Sequence, residues 1–139
     1  MKLINLINAR GVIVQFAREK LPAQTAYKLF NFLKETDKDE AFYNDKRTGI
    51  IKRYAKKDDE GNFVPDGNGI ALIPETAEAC KKELLELENT VIELPVRFTI
   101  EEFGGLSLSM ADILVIEELL ANKEDEDGSG LKEQGSQNA

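Results

Sequence analysis

The dipeptide Leu21-Pro22 stands between two runs of helical periodicity, and no other feature restricts the fold as much. Proline disfavours helix at the residue before it and fits the first turn of a new one, so one helix ends here and another begins. Upstream, Leu3, Leu6, Ile7, Ile13, Val14 and Ala17 recur at helical spacing to about Lys20. Gly11 interrupts the pattern and Val12-Ile13-Val14 is β-branched, so a strand at 12–16 competes with the helix, which is preferred. Downstream, Ala23, Ala26, Tyr27, Phe30 and Leu33, then Ala41, Ile51, Tyr54 and Ala55, fall near one stripe of a long second helix. Its charged middle, Lys34 to Glu40, reads as a solvent-crossing section or a short break. So tight a connection makes the two helices an antiparallel pair.

After Asp58-Asp59-Glu60-Gly61, read as the end of the second helix, the signals become those of strands. Asn62-Phe63-Val64 and Ile70-Ala71-Leu72-Ile73 flank Pro65-Asp66-Gly67-Asn68-Gly69, whose Asp-Gly and Asn-Gly pairs suit a hairpin turn. Pro74 and Glu75 open a third helix to about Glu88, with Ala77, Cys80, Leu84 and Leu87 on its apolar face. The clearest strand is Ile92 to Ile100, where Leu94, Val96 and Phe98 alternate with Glu93, Pro95 and Arg97. Pro95 cannot donate to a ladder, so this strand belongs at an edge, either protected there or used to pair with a second subunit. Gly104-Gly105 is a turn or hinge. Ser109 and Asp112 then form a capping-box variant ahead of a last helix rich in Met110, Ile113, Leu114, Ile116, Leu119 and Leu120. The expectation is an α+β fold: an N-terminal helical pair with a long second helix, a hairpin plus one further strand in a small antiparallel sheet, and two further helices. Residues 1–121 read as one domain, and 122–139 as an acidic, polar, disordered tail.

Composition closes most routes to catalysis. The chain has no histidine, which removes the commonest general acid/base and metal ligand. Its single cysteine, Cys80, permits neither an internal disulfide nor a thiolate zinc site, and its place on an apolar face makes it a core residue. The Asp/Asn/Gly-rich hairpin turn lacks the alternating register of a calcium loop. No pair of carboxylates stands out by spacing, so neither an enzyme nor a cofactor is expected. A net charge of −8 argues against direct binding to nucleic acid and against anionic membranes. No apolar run suits a membrane span, no secretion signal is expected, and a reducing cytoplasm fits the lone thiol.

One stretch departs from this acidity. Lys46, Arg47, Lys52, Arg53, Lys56 and Lys57 fall within twelve residues that contain no acid. Lys46, Arg53, Lys56 and Lys57 lie roughly along one helical side, flanked by Arg47 and Lys52. They read either as a site for an anionic nucleotide, a phosphate or an acidic partner, or as charges that complement a helix dipole and pair with neighbouring acids. No Walker pattern or complete G-x-G-x-x-G accompanies them. A homo-oligomer is also expected, through Ile113, Ile116, Leu119 and Leu120 of the last helix and Val96 and Phe98 of the edge strand.

The order of landmarks resembles small uncharacterised proteins of tailed phages and prophages of Gram-positive bacteria. The resembling elements are Leu3 to Ala9, Lys20-Leu21-Pro22 with Ala26 to Leu29, Arg53 to Asn62, Glu88-Asn89-Thr90 to Leu94, and Leu106 to Ile116-Glu117. The resemblance implies a phage origin and carries over no catalytic or binding residue. Taken with the small size, the acidity and the lack of catalytic equipment, it leads to the expectation of an accessory protein in the host cytoplasm that inhibits or sequesters a host factor, an immune effector or an anionic nucleotide signal. A virion or assembly component of the tail, neck or chaperone type is the alternative.

Overall fold

Helix α1 spans Leu3–Gln15 and closes in a 3₁₀ turn at Phe16–Arg18. It runs unbroken through Gly11 and the β-branched run, because Val12 and Ile13 find buried positions and tertiary packing outweighs propensity. Gly11 itself is exposed, and an added Cβ would meet nothing within 4 Å. Gly11→Ala is therefore expected to raise the unfolding free energy by about 0.5–1 kcal/mol, seen as a higher urea midpoint with unchanged slope. Helix α2 is one continuous element over Ala23–Tyr54, so its charged middle is not a break. Pro22 supplies the carbonyl that accepts from the Ala26 amide at 3.0 Å, which starts the helix where proline allows.

The computed structural model describes residues 1–121; the tail expected at 122–139 lies outside the described residues. The described residues divide into two compact units, one of Met1, 6–36 and 93–121, the other of 2–5 and 37–92. In the first, α1 and α2 form the expected helical pair. Arg10, although buried, donates to the Leu33 carbonyl at 2.7 Å and to Thr36 Oγ1, which ties the two helices at mid-length. The core here is aromatic: Phe98 lies 5.6 Å from Phe32 and 5.7 Å from Phe103 between ring centroids, and Phe16 packs on Phe103. Burying such side chains contributes about 1.5–3 kcal/mol each before entropy is charged.

The segment 92–100 is not a strand. Its burial does alternate, with Ile92, Leu94, Val96 and Phe98 turned further from solvent than Glu93, Pro95 and Arg97. Val91, just before it, bridges Lys2, and Phe98 makes a parallel bridge to Leu120, donating to the Leu119 carbonyl at 2.8 Å. Alternation records one-sided burial; a ladder needs a partner strand and donors, and Pro95 removes one. The sheet is accordingly two-stranded, and the class remains α+β. Beyond it, a 3₁₀ turn at Ile100–Phe103 leads to α4, Met110–Ile116, which ends in another 3₁₀ turn at Glu117–Leu119 and is shorter than its apolar run predicts. The Ser109–Asp112 capping box forms as expected: the Asp112 amide donates to Ser109 Oγ at 3.0 Å and the Ser109 amide to Asp112 Oδ2 at 3.3 Å.

In the second unit, α2 stops at Tyr54, short of Asp58-Gly61, because the next residues turn to extended pairing. Ala55 bridges Leu72 and Lys57 bridges Phe63. Between them the Lys56 amide donates to the Ala71 carbonyl at 2.8 Å, and the Lys56 carbonyl accepts from the Val64 amide at 3.0 Å. Asp58 makes the reversal possible, its Oδ1 accepting from the amides of Glu60 and Asn62 at 2.9 Å each, and Gly61 completes it at φ +85°. Strands β1, Pro65–Asp66, and β2, Gly69–Ile70, then pair through Asp66↔Gly69, with Gly67 at φ +62° in the two-residue turn. Helix α3, Ala77–Glu88, follows a 3₁₀ turn at Pro74–Thr76 and buries Cys80 and Leu87.

Candidate functional site

All six cations of the stretch are exposed, while Ile50 and Ala55 among them are buried. Lys46, Arg47, Lys52 and Arg53 occupy the last turns of α2, where their charge also complements the carbonyl end of the helix. Lys56 and Lys57 were expected on the same helical side and are not; they lie in the extended segment after the helix. Successive side chains of an extended backbone point to opposite faces, so these two lysines cannot share one.

Arg53 behaves as a structural cation. Its guanidinium donates to Glu83 Oε1 of α3 at 2.7 Å, and the Tyr54 hydroxyl donates to Glu83 Oε2. The hydrogen bonds from Tyr54 and Arg53 hold the Glu83 carboxyl below the usual carboxylate range, while the same carboxylate raises both Arg53 and Tyr54. Adjacent Tyr54-Arg53 and a single acid on α3 thus clamp the end of α2. The pairing is legible only in space, because thirty residues separate the partners.

The other five cations have no acidic partner among the described residues. Two of them sit by aromatic faces: Lys46 Nζ lies 5.8 Å from the Phe42 ring centroid, and Lys57 Nζ 5.5 Å from that of Phe63. Phe42 is 47% and Phe63 37% exposed, so each offers apolar surface beside a positive charge. Sequence reading listed the cations and missed these rings, although Phe42 is four residues before Lys46 and so one turn away on α2. What the arrangement can do is attract an anion over an open face and contact it with aromatic edges.

The six residues expected at an oligomer interface divide. Phe98, Ile116 and Leu119 are fully buried within the chain and are core, which corrects that assignment; Val96 and Leu120 are half-buried. Ile113 is exposed, and the apolar surface of α4 that reaches solvent is completed by Met110 and Leu114. A separate apolar groove of about 250 Å³ in the first unit is lined by Ile13, Phe16, Leu21, Leu29 and Phe30 among others. Cys80 is buried, and burial pushes its thiol up, so it is held as the unreactive protonated form. Among the described residues, no group of three or more carboxylate or thiol side chains is placed to hold a metal ion, and no helix is long and apolar enough to cross a membrane.

No protein-family model, curated protein or solved structure matches the chain.

Proposed function

We propose that this chain is a non-catalytic binding protein, a phage accessory factor that sequesters or inhibits an acidic protein of the host. The observation that carries the reading is the run Lys46 to Lys57: six cations without an acid, all exposed, five of them without an acidic partner among the described residues. In a chain of net charge −8 such a concentration steers acidic partners locally while the rest of the surface repels them. Six exposed cations spread over more than one face suit the surface of a protein better than an enclosed nucleotide, which needs a concave site to desolvate it.

The test is fluorescence anisotropy with a labelled Asp/Glu-rich peptide, with ATP titrated in parallel. Binding of the peptide is expected to weaken about tenfold or more in Lys46→Glu/Lys52→Glu, and to fall with added salt. Arg53 is left intact, since reversing it would set a carboxylate against Glu83 and disturb the clamp. Peptide affinity unchanged by the double reversal would remove the reading, and tight ATP binding would move it to the nucleotide signal. Exposed Met110 and Leu114 favour a second reading, a virion or assembly component, which mass spectrometry of purified particles would reveal by finding the chain in them.

A further inference from the structure

The cationic face has a counterpart on the same chain. From Glu101 to Ala121 there are five acids and no base, the mirror image of Lys46 to Lys57. This acidic stretch contains α4, whose Met110 is 79% and Leu114 67% exposed, with Ile113 beside them. Met110, Leu114 and Glu117 follow at spacings of four and three, so they share one face of the element. Glu101 and Glu117 are exposed and have no cationic partner among the described residues. The face of α4 therefore presents aliphatic side chains beside acid, and α2 presents Phe42 beside Lys46 near its cationic end. An apolar centre within a charged rim is the layout of a specific protein interface, and the two are complementary in sign.

We infer that the partner these surfaces fit is a second copy of this chain, the α4 face of one copy docking on the cationic end of α2 of the next. The inference rests on the reading of the cationic face as a binding surface and names one occupant for it. Two different patches meet, so each copy offers both halves of the contact. The contact also occludes the cationic face, so self-assembly and capture of an acidic partner compete.

Docking of two unlike patches makes a demand that pairing of one patch with itself does not. Lys46→Ala/Lys52→Ala/Lys57→Ala removes one surface, and Met110→Asp/Leu114→Asp the other; all five positions are exposed, so both variants keep the fold, checked by circular dichroism. In sedimentation velocity the wild type is expected to self-associate as concentration rises, and to dissociate in high salt. Each variant alone is expected to be a monomer, weakened about tenfold or more in self-association. Their equimolar mixture is expected to give a capped one-to-one dimer, because each supplies the surface the other lacks. A wild type that stays monomeric, a variant that still assembles alone, or a mixture that stays monomeric would overturn the inference. Loss of self-association with acidic-peptide binding intact leaves the binding reading standing with another acidic occupant; loss of peptide binding with self-association intact refutes capture of a foreign partner alone.

Discussion

Phe98→Ala is expected to lower the unfolding free energy by about 3–5 kcal/mol, measured by urea denaturation followed by circular dichroism. The ring is fully buried, packs edge-on to Phe32 and tilted against Phe103, and carries the Lys28 ammonium 4.7 Å above its face. Truncation removes these contacts together and leaves a cavity whose walls are held by α2, by the 3₁₀ turn at Ile100–Phe103 and by the backbone bonds to Leu119 and Ala121, which limits collapse. Against a typical domain stability of about 5–15 kcal/mol the variant is close to unfolding at room temperature. Phe98→Leu should retain most of the stability, since it keeps an apolar group of similar bulk. Loss of self-association with the urea midpoint unchanged would instead place Phe98 at an interface.

Glu102→Gln is expected to destabilise by about 1–2 kcal/mol at neutral pH, because a charge-assisted hydrogen-bond node is lost inside a partly buried site. Lys28 Nζ donates to both carboxylate oxygens at 2.9 and 3.0 Å, and the Thr99 amide donates to Oε1 at 2.8 Å, capping the turn that holds Phe103. Burial acts to raise this carboxyl, and the Lys28 and Thr99 hydrogen bonds outweigh it, so its folded pKa lies below the ordinary value. A depressed carboxylate stabilises the fold fully above its unfolded pKa, and that contribution is lost as pH falls through the folded one. Urea midpoints of the wild type should therefore drop on acidification from about pH 5 downward, and Glu102→Gln should flatten part of that slope. Parallel slopes in the two proteins would show that Glu102 is not the group responsible.

Helices were the legible part of this chain because their signals are local. Pro22 set the start of α2, Ser109 and Asp112 the start of α4, and the face carrying Cys80 and Leu87 was readable from spacing alone. Features that depend on a distant partner were not. The alternation of Leu94, Val96 and Phe98 is real in burial, but whether an extended segment becomes a strand depends on what lies beside it. For the same reason Lys56 and Lys57 read as helical: their pairing with Phe63 to Leu72 is set by the Asp58 reversal, and Asp58-Gly61-Asn62 was the clue that the chain turns back. Apolar periodicity in α4 could not tell Ile116, which is core, from Leu114, which faces solvent, since both satisfy one pattern and only the neighbouring element separates them.

Cys80 gives the second unit a reporter of its own motion. It is the sole cysteine, it has no exposed surface, and its thiol is held protonated, so a disulfide reagent finds no thiolate to attack in the closed molecule. Modification must pass through states in which α3 has lifted from its packing. With reclosing faster than reaction, the labelling rate divided by that of an unfolded chain gives the equilibrium constant for that opening. A single natural thiol thus yields the local stability of one half of the protein with no engineered probe and no competing signal from the other half.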